Sequence, residues 1–214
     1  MTDKVLVLIP VKEKSVRCKD KNTRLLNNKP LFLYALDSAI RFSSSRREEI
    51  VPYVVTESEN IKGMIDNKYN ILMRPEELAD DPMQIAETCL FAIDKLQEDF
   101  NTLIMVQPSN PFVTNYELEE CYDLFLNNNR TTIRSVTTID KMIWATCGYD
   151  NKLIYPLHGK YFIGNGSIVI IDRERFVLRK TLYDMSTIPY LMKGVDIDNE
   201  QDFKLAEILM KEVI

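Results

Sequence analysis

Residues 5–24 read Val5-Leu6-Val7-Leu8-Ile9-Pro10-Val11-Lys12-Glu13-Lys14-Ser15-Val16-Arg17-Cys18-Lys19-Asp20-Lys21-Asn22-Thr23-Arg24. Five consecutive apolar residues halted by a proline suit a strand buried on both faces, as in a parallel sheet covered by helices on each side. The polar stretch behind it then leaves the carboxyl end of that strand, where ligands bind in such sheets. Of the thirteen residues from Lys12 to Arg24, six are basic and two acidic, a local +4 in a chain of net charge −5. Lysine and arginine donors gathered there suit a polyphosphate. A solvated basic loop is equally compatible with the composition. Gly63, Gly148, Gly159, Gly164, Gly166 and Gly194 are the only glycines, and none is near this strand. Neither a G-x-G-x-x-G nor a G-x-x-x-x-G-K-[ST] loop is present, so side chains must hold any phosphate.

Working outward, apolar residues at three-to-four spacing predict a helix from Pro30 to Ile40, with the proline in its first turn. Strands are expected over 51–56, 71–73, 102–106, 132–138 and 167–171, and a short helix over 59–66. Ile85, Cys89, Ile93 and Leu96 mark one face of a further helix, and residues 116–126 another. Periodicity fades over 140–165, where Gly148, Asp150-Asn151 and Gly159 are turn formers, so an irregular excursion is expected there. A short segment over 195–197 precedes a last helix with Phe203, Ala206, Leu209, Met210 and Val213 on one face. The alternation predicts an α/β fold of three layers, α/β/α and Rossmann-like, around a mostly parallel sheet with right-handed crossovers.

The 214 residues, 45% hydrophobic and 28% charged, suit a single domain over 1–214. No apolar run approaches the roughly 18 residues of a membrane span, and the net negative charge argues against wholesale binding to nucleic acid or anionic lipid. Cys18, Cys89, Cys121 and Cys147 form no Cys-x-x-Cys pair and read as reduced thiols. The start of the chain lacks the h-region and cleavage site of a signal peptide, so a cytoplasmic setting is expected. His158 is the only histidine, which excludes two-histidine metal sites. Chemistry must rest on carboxylates, lysines, arginines and amides.

Asp196 and Asp198 flank Ile197, and alternation in an extended segment turns both carboxylates to one side with the isoleucine toward the core. Such a pair suits Mg²⁺, which prefers oxygen ligands and leaves room for phosphate and water. Asp198 with Gln201 also resembles a helix capping box. Arg74, before Pro75, is held in an extended or turn conformation, suited either to a nucleotide or to a surface ion pair with Glu76 or Glu77. Gln107 ends a strand, as a ligand-facing or loop-bracing amide.

Taken in order, these residues resemble the cytidylyltransferases that activate sialic acid and related nonulosonic or ulosonic acids. Ile9-Pro10-Val11-Lys12 through Lys21-Asn22 resembles the opening motif Ile-Pro-Ala-Arg-x-x-Ser-Lys-Arg-x-Pro-x-Lys-Asn. Asn28-Lys29-Pro30-Leu31 resembles Gly-Lys-Pro-Leu, and Val54-Val55-Thr56-Glu57 resembles Val-Ser-Thr-Asp. Arg74-Pro75-Glu76-Glu77-Leu78-Ala79-Asp80-Asp81 resembles Arg-Pro-x-Glu-Leu-Ala-x-Asp, and Gln107-Pro108-Ser109-Asn110-Pro111 resembles Gln-Pro-Thr-Ser-Pro. Asp196-Ile197-Asp198 with Asp202 and Leu205-Ala206-Glu207 resembles the family's ending.

The resemblance implies the nucleotide-diphospho-sugar transferase fold and transfer of CMP from CTP to the anomeric hydroxyl of a sialic-acid-like sugar acid, with release of pyrophosphate. It implies that Lys21 contacts the triphosphate, that Lys12 stands for a phosphate-binding arginine, and that Ser15 and Arg17 complete the anion loop. Asn22 is then placed by the nucleotide sugar, Arg74 by the cytosine, Gln107 and Asn165-Gly166 by the acidic sugar, and Asp196 and Asp198 on Mg²⁺. A homodimer is implied through about 140–165, with Lys141 or Lys160 reaching the other subunit's pocket. The chain departs from the pattern at Lys12 and Val16, at Lys19-Asp20, at Val113, and at Ile163-Gly164, which stands where the family has Arg-Pro. Lysine lacks arginine's bidentate fork, so these changes bear on the chemistry. They leave open a relative that binds nucleotide or sugar without turnover, or one acting on another ulosonic acid such as KDO.

Overall fold

The structure, a computed structural model, describes residues 3–80, 85–138, 143–147, 153–157, 161–184 and 186–212, with residues 80, 143–147, 153–157 and 212 described through their backbone alone. In chain order the elements are β1 (Lys4–Pro10), β2 (Leu25–Leu26), β3 (Lys29–Pro30), α1 (Phe32–Ser45), β4 (Glu49–Thr56), α2 (Glu59–Gly63), β5 (Asn70–Met73), α3 (Glu77–Asp80), α4 (Ile85–Leu96) and β6 (Thr102–Val106). They continue as α5 (Asn115–Asn127), β7 (Thr132–Thr138), β8 (Ile143–Cys147), β9 (Leu153–Leu157), β10 (Phe162–Asp172), α6 (Arg173–Arg179), β11 (Thr187–Leu191) and α7 (Glu200–Glu212).

Seven strands form one sheet in the order β11-β7-β10-β6-β1-β4-β5. β10 runs antiparallel to both of its neighbours, and the other pairings are parallel. In β1 the expected two-faced burial is complete. Val5, Val7 and Ile9 pack with Phe32, Leu36, Phe42, Tyr122 and Phe125 of α1 and α5, while Leu6 and Leu8 pack on the opposite side with Cys89, Ala92 and Phe176 of α4 and α6. Period-two alternation through Val5–Ile9, a run with no polar position, thus builds the three layers. Cys18, Cys89 and Cys121 are free and buried, and burial pushes the Cys89 thiol up to about 12, leaving it protonated and inert. Among the described residues no helix is long and apolar enough to cross a membrane.

The structure corrects the sequence reading in several places. Pro30 does not open the first helix: it pairs with Leu25 across a two-residue hairpin turned by Asn27 and Asn28, both at positive φ, which is the geometry of a primed turn. Helix α1 starts at Phe32, and its first amides donate to loop carbonyls, Leu31 N to Arg24 O (3.0 Å) and Phe32 N to Asn22 O (3.1 Å). The last long strand begins at Phe162, well before residue 167, and its register on β7 shifts between Gly164 and Val169. Residues 195–197 join no sheet among the described residues. α6 and β11 occupy a stretch that sequence periodicity leaves unassigned. Within the expected excursion, β8 and β9 pair with each other and with no other strand among the described residues. Lys141, His158 and Lys160 lie outside the described residues, as does the side chain of Trp144.

Candidate functional site

The cationic loop and the C-terminal segment are brought together by apolar packing. Cys18, Leu26 and Leu31 from the loop form one buried cluster with Ile197, Phe203 and Ala206 from the tail. Arg24 closes its edge, paired with Glu200 at 2.7 Å and with its guanidinium 4.0 Å over the Phe203 ring. The tail is also anchored to the end of β6, where Ile197 N donates to Ser109 O at 2.8 Å. Gly194 permits this approach: its φ is +130°, and a Cβ there would lie 3.0 Å from Asn110 Oδ1 and from Phe112 Cβ. With Ile197 fully buried, Asp196 and Asp198 turn together toward the loop, as alternation predicts.

Lys21 Nζ donates to the Ile197 carbonyl and stands 3.7 Å from Asp198 Oδ1. Arg17 Nη2 reaches the same oxygen at 3.1 Å. Lys12 is half-buried beside them, with no carboxylate partner among the described residues, and its carbonyl accepts from Asn22 Nδ2 at 2.7 Å. Asn22 is therefore buried as a brace of the loop. Asp196 Oδ1 is buried and has no hydrogen-bond partner among the described residues. Burial pushes the Asp196 carboxyl above the usual range, the Asp198 charge adds to this, and a hydrogen bond from Ser109 and the charge of Lys21 oppose it. The capping alternative for Asp198 is overturned: Asn199 Oδ1 accepts from Gln201 N and Asp202 N, and Asp202 Oδ2 accepts from Asp198 N and Asn199 N. Asn199 and Asp202 cap α7 reciprocally and leave the Asp198 carboxylate to the cavity.

The other expected residues come from strand ends. Parallel register sets Thr56 beside Met73, so Glu57 and Arg74 leave adjacent strands side by side. Arg74 Nη2 and Nε donate to Glu57 Oε2 at 2.9 and 3.1 Å, and Nη1 donates to Thr88 Oγ1 at 3.2 Å. The alternative ion pair with Glu76 or Glu77 is not formed among the described residues; Glu76 pairs with Lys14 instead. Glu57 also accepts from Glu13 N at 2.8 Å, and Glu13 in turn accepts from Ser58 and Asn60, hydrogen bonds that hold its carboxyl below the usual range.

Across the cavity, the irregularity in β10 turns Asn165-Gly166 out of the ladder. Asn165 Oδ1 accepts from Ser135 Oγ at 2.5 Å and Ser167 N at 3.2 Å, and its amide protons have no partner among the described residues. Gly166, at φ +68°, lies against Gln107, with 3.1 Å between Gln107 Oε1 and the point where a Cβ would stand.

One cavity of about 580 Å³ is lined by Lys12, Arg17, Lys21, Asn22, Arg74, Gln107, Asn165, Asp196 and Asp198. Ser15 alone of the expected residues does not line it; its hydroxyl is buried in the loop without a partner among the described residues. Sequence reasoning missed Glu57, Arg134, Lys180 and Tyr183, of which the last three also line the cavity. Arg134 had a signal, being the one charged residue of an otherwise uncharged strand. Tyr183 had none.

A family model described as cytidylyltransferase matches residues 6–205 of this chain. An N-acylneuraminate cytidylyltransferase of Escherichia coli is 28% identical over 96% of this chain and 52% of its own length. A CMP-N,N'-diacetyllegionaminic acid synthase of Legionella pneumophila is 27% identical over 97% of each. The chain thus spans about half the length of the first relative and nearly all of the second. Among solved structures, a CMP:2-keto-3-deoxy-manno-octonic acid synthetase complexed with CTP superposes with a TM-score of 0.72 at 12% identity, over 99% of this chain and 100% of that one. A 4-diphosphocytidyl-2C-methyl-D-erythritol synthase from Anaerococcus prevotii gives 0.71 at 8% identity, over 98% and 99%. These two likenesses show the fold.

Proposed function

The chain belongs to the cytidylyltransferase family, and from that premise we propose that it transfers CMP from CTP to the anomeric hydroxyl of a sialic-acid-like nonulosonic acid, releasing pyrophosphate. The observation that carries this reading is the convergence of Lys12, Arg17 and Lys21 with Asp196 and Asp198 on one cavity. Displacement at the α-phosphorus needs alignment and charge neutralisation more than a protein nucleophile, and the cavity supplies cations without one. Arg17 is exposed and held by a single ion pair, worth at most about 1 kcal/mol, so a triphosphate competes with Asp198 for its guanidinium. Lys21 is the more fixed donor, steadied by the Ile197 carbonyl. Lys12 faces the same space with its charge unmatched. Arg74, engaged with Glu57, shapes the nucleoside wall and holds the loop, while the amides of Gln107 and Asn165 face the acceptor.

Mg²⁺ fits the acid pair. It takes oxygen ligands and is commonly held by one or two carboxylates with substrate phosphates completing its shell, and Asp196 carries a buried, unpartnered oxygen. Among the described residues no larger cluster of metal-ligating side chains occurs. When bound by Asp196 and Asp198, the ion would supply neutralising charge to the triphosphate.

Purified protein incubated with CTP, Mg²⁺ and a panel of N-acetylneuraminate, a legionaminate derivative and KDO is expected to release pyrophosphate with a nonulosonic acid. Release with KDO alone would move the acceptor to the ulosonic class. CTP binding with no release for any acid would overturn catalysis and leave a binding protein. We propose also that two copies pair through residues 140–165. The support is that β8 and β9 join no other strand among the described residues. Light scattering is expected to give twice the chain mass, and a single-chain mass at micromolar concentration would refute the pairing.

A further inference from the structure

Resting on the sugar-acid reading above, we infer that Arg134 is the residue that binds the acceptor's carboxylate. Arg134 stands in β7, half-buried in the cavity wall that β7 forms with Gly164, Asn165 and the segment after α6. Its guanidinium lies 4.1 Å over the Tyr183 ring. Among the described residues its side chain makes one hydrogen bond, from Nη1 to the Leu182 carbonyl at 3.4 Å.

The other cavity-lining arginines are matched by acids, Arg17 by Asp198 and Arg74 by Glu57. Arg134 has no carboxylate partner among the described residues. A guanidinium seated over an aromatic ring, with most of its N–H groups unengaged among the described residues, is preorganised for a two-oxygen acceptor.

A Cβ at Gly164 would lie 3.6 Å from Arg134 Nη2, in ordinary van der Waals contact, so the guanidinium packs directly against this stretch of β10. Gly164 belongs to the Ile163-Gly164 pair that replaces Arg-Pro in the family motif, and Ile163 brings no cation. The positive charge on this wall therefore comes from Arg134, with Lys180 nearby on the rim. The phosphate-loop cations enter from the end of β1, so the wall Arg134 occupies is separate from theirs and next to Asn165, whose amide protons have no partner among the described residues.

The test compares wild type with Arg134→Gln and Arg134→Lys, using N-acetylneuraminate and its C1 carboxamide as acceptors and measuring pyrophosphate release and Tm. Wild type is expected to prefer the acid over the amide. Arg134→Gln is expected to raise KM for the acid about 10- to 100-fold, as loss of a charge-assisted pair does, with KM for CTP within about twofold and the acid–amide preference erased. Arg134→Lys, charged but without the fork, should fall between. A purely structural role for the stack would lower Tm and leave the preference intact. A wild type that turns over the acid while Arg134→Gln keeps both its KM and its preference overturns this inference and leaves cytidylyl transfer standing. A wild type that releases no pyrophosphate overturns both.

Discussion

Asp196→Asn is expected to reduce pyrophosphate release at least about 10³-fold, equivalent to roughly 4 kcal/mol of transition-state stabilisation, while the protein folds normally. Its carboxylate is the one acid group of the cavity with a buried oxygen that nothing in the described structure satisfies. Asparagine keeps the size and removes a charge that burial already disfavours, so Tm should equal or exceed that of the wild type. Activity within tenfold of wild type at saturating Mg²⁺ would remove Asp196 from the proposed metal site. Asp198→Asn should cost less, because Asp198 is more exposed and also restrains Arg17 and Lys21.

The largest expected loss of stability is at Glu57. Its side chain is 12% exposed and that of Arg74 4%, so solvent screens the pair little. Glu57→Gln leaves a buried guanidinium facing a neutral amide, and breaking such a pair costs about 3–5 kcal/mol. For a chain of this size that lowers Tm by roughly 10 °C, measurable by calorimetry. Replacing both partners, as Glu57→Gln with Arg74→Met, should recover part of the loss, since the uncompensated charge is gone. A Tm within 2 °C of wild type for the single variant would show that the pair does not hold the nucleoside wall. The same change also loosens the phosphate loop, because Glu57 accepts from Glu13 N. KM for CTP should therefore rise along with the fall in Tm.

Much of the layer structure was legible because burial on two faces leaves a direct mark. The apolar runs of β1 and β6 contain few polar residues to misplace them, and the three-to-four spacing of α4 and α5 shows which face meets the sheet. α6 and β11 left a weaker mark. The strand Thr187–Leu191 includes a proline and is half exposed at the sheet edge, and a seven-residue helix offers barely two turns of periodicity. The opening of α1 was misread because Pro30 suits a first helical turn as well as it suits the hairpin in which it stands. Only the positive φ of Asn27 and Asn28 decides between them.

The sequence by itself determined the α/β alternation, the charged loop behind the first strand, and the carboxylate pair on alternate positions, since each is a property of neighbouring residues and local backbone geometry. Tertiary structure alone decided which of those charges meet. Lys21 and Asp198 are 177 positions apart, and apolar packing of Cys18, Leu26 and Leu31 on Ile197 and Phe203 draws them together. Parallel register assigned Arg74 to Glu57, and the break in β10 opened the wall where Arg134 waits. Pairings of that kind depend on which surfaces bury against each other, a long-range outcome that no window of sequence contains.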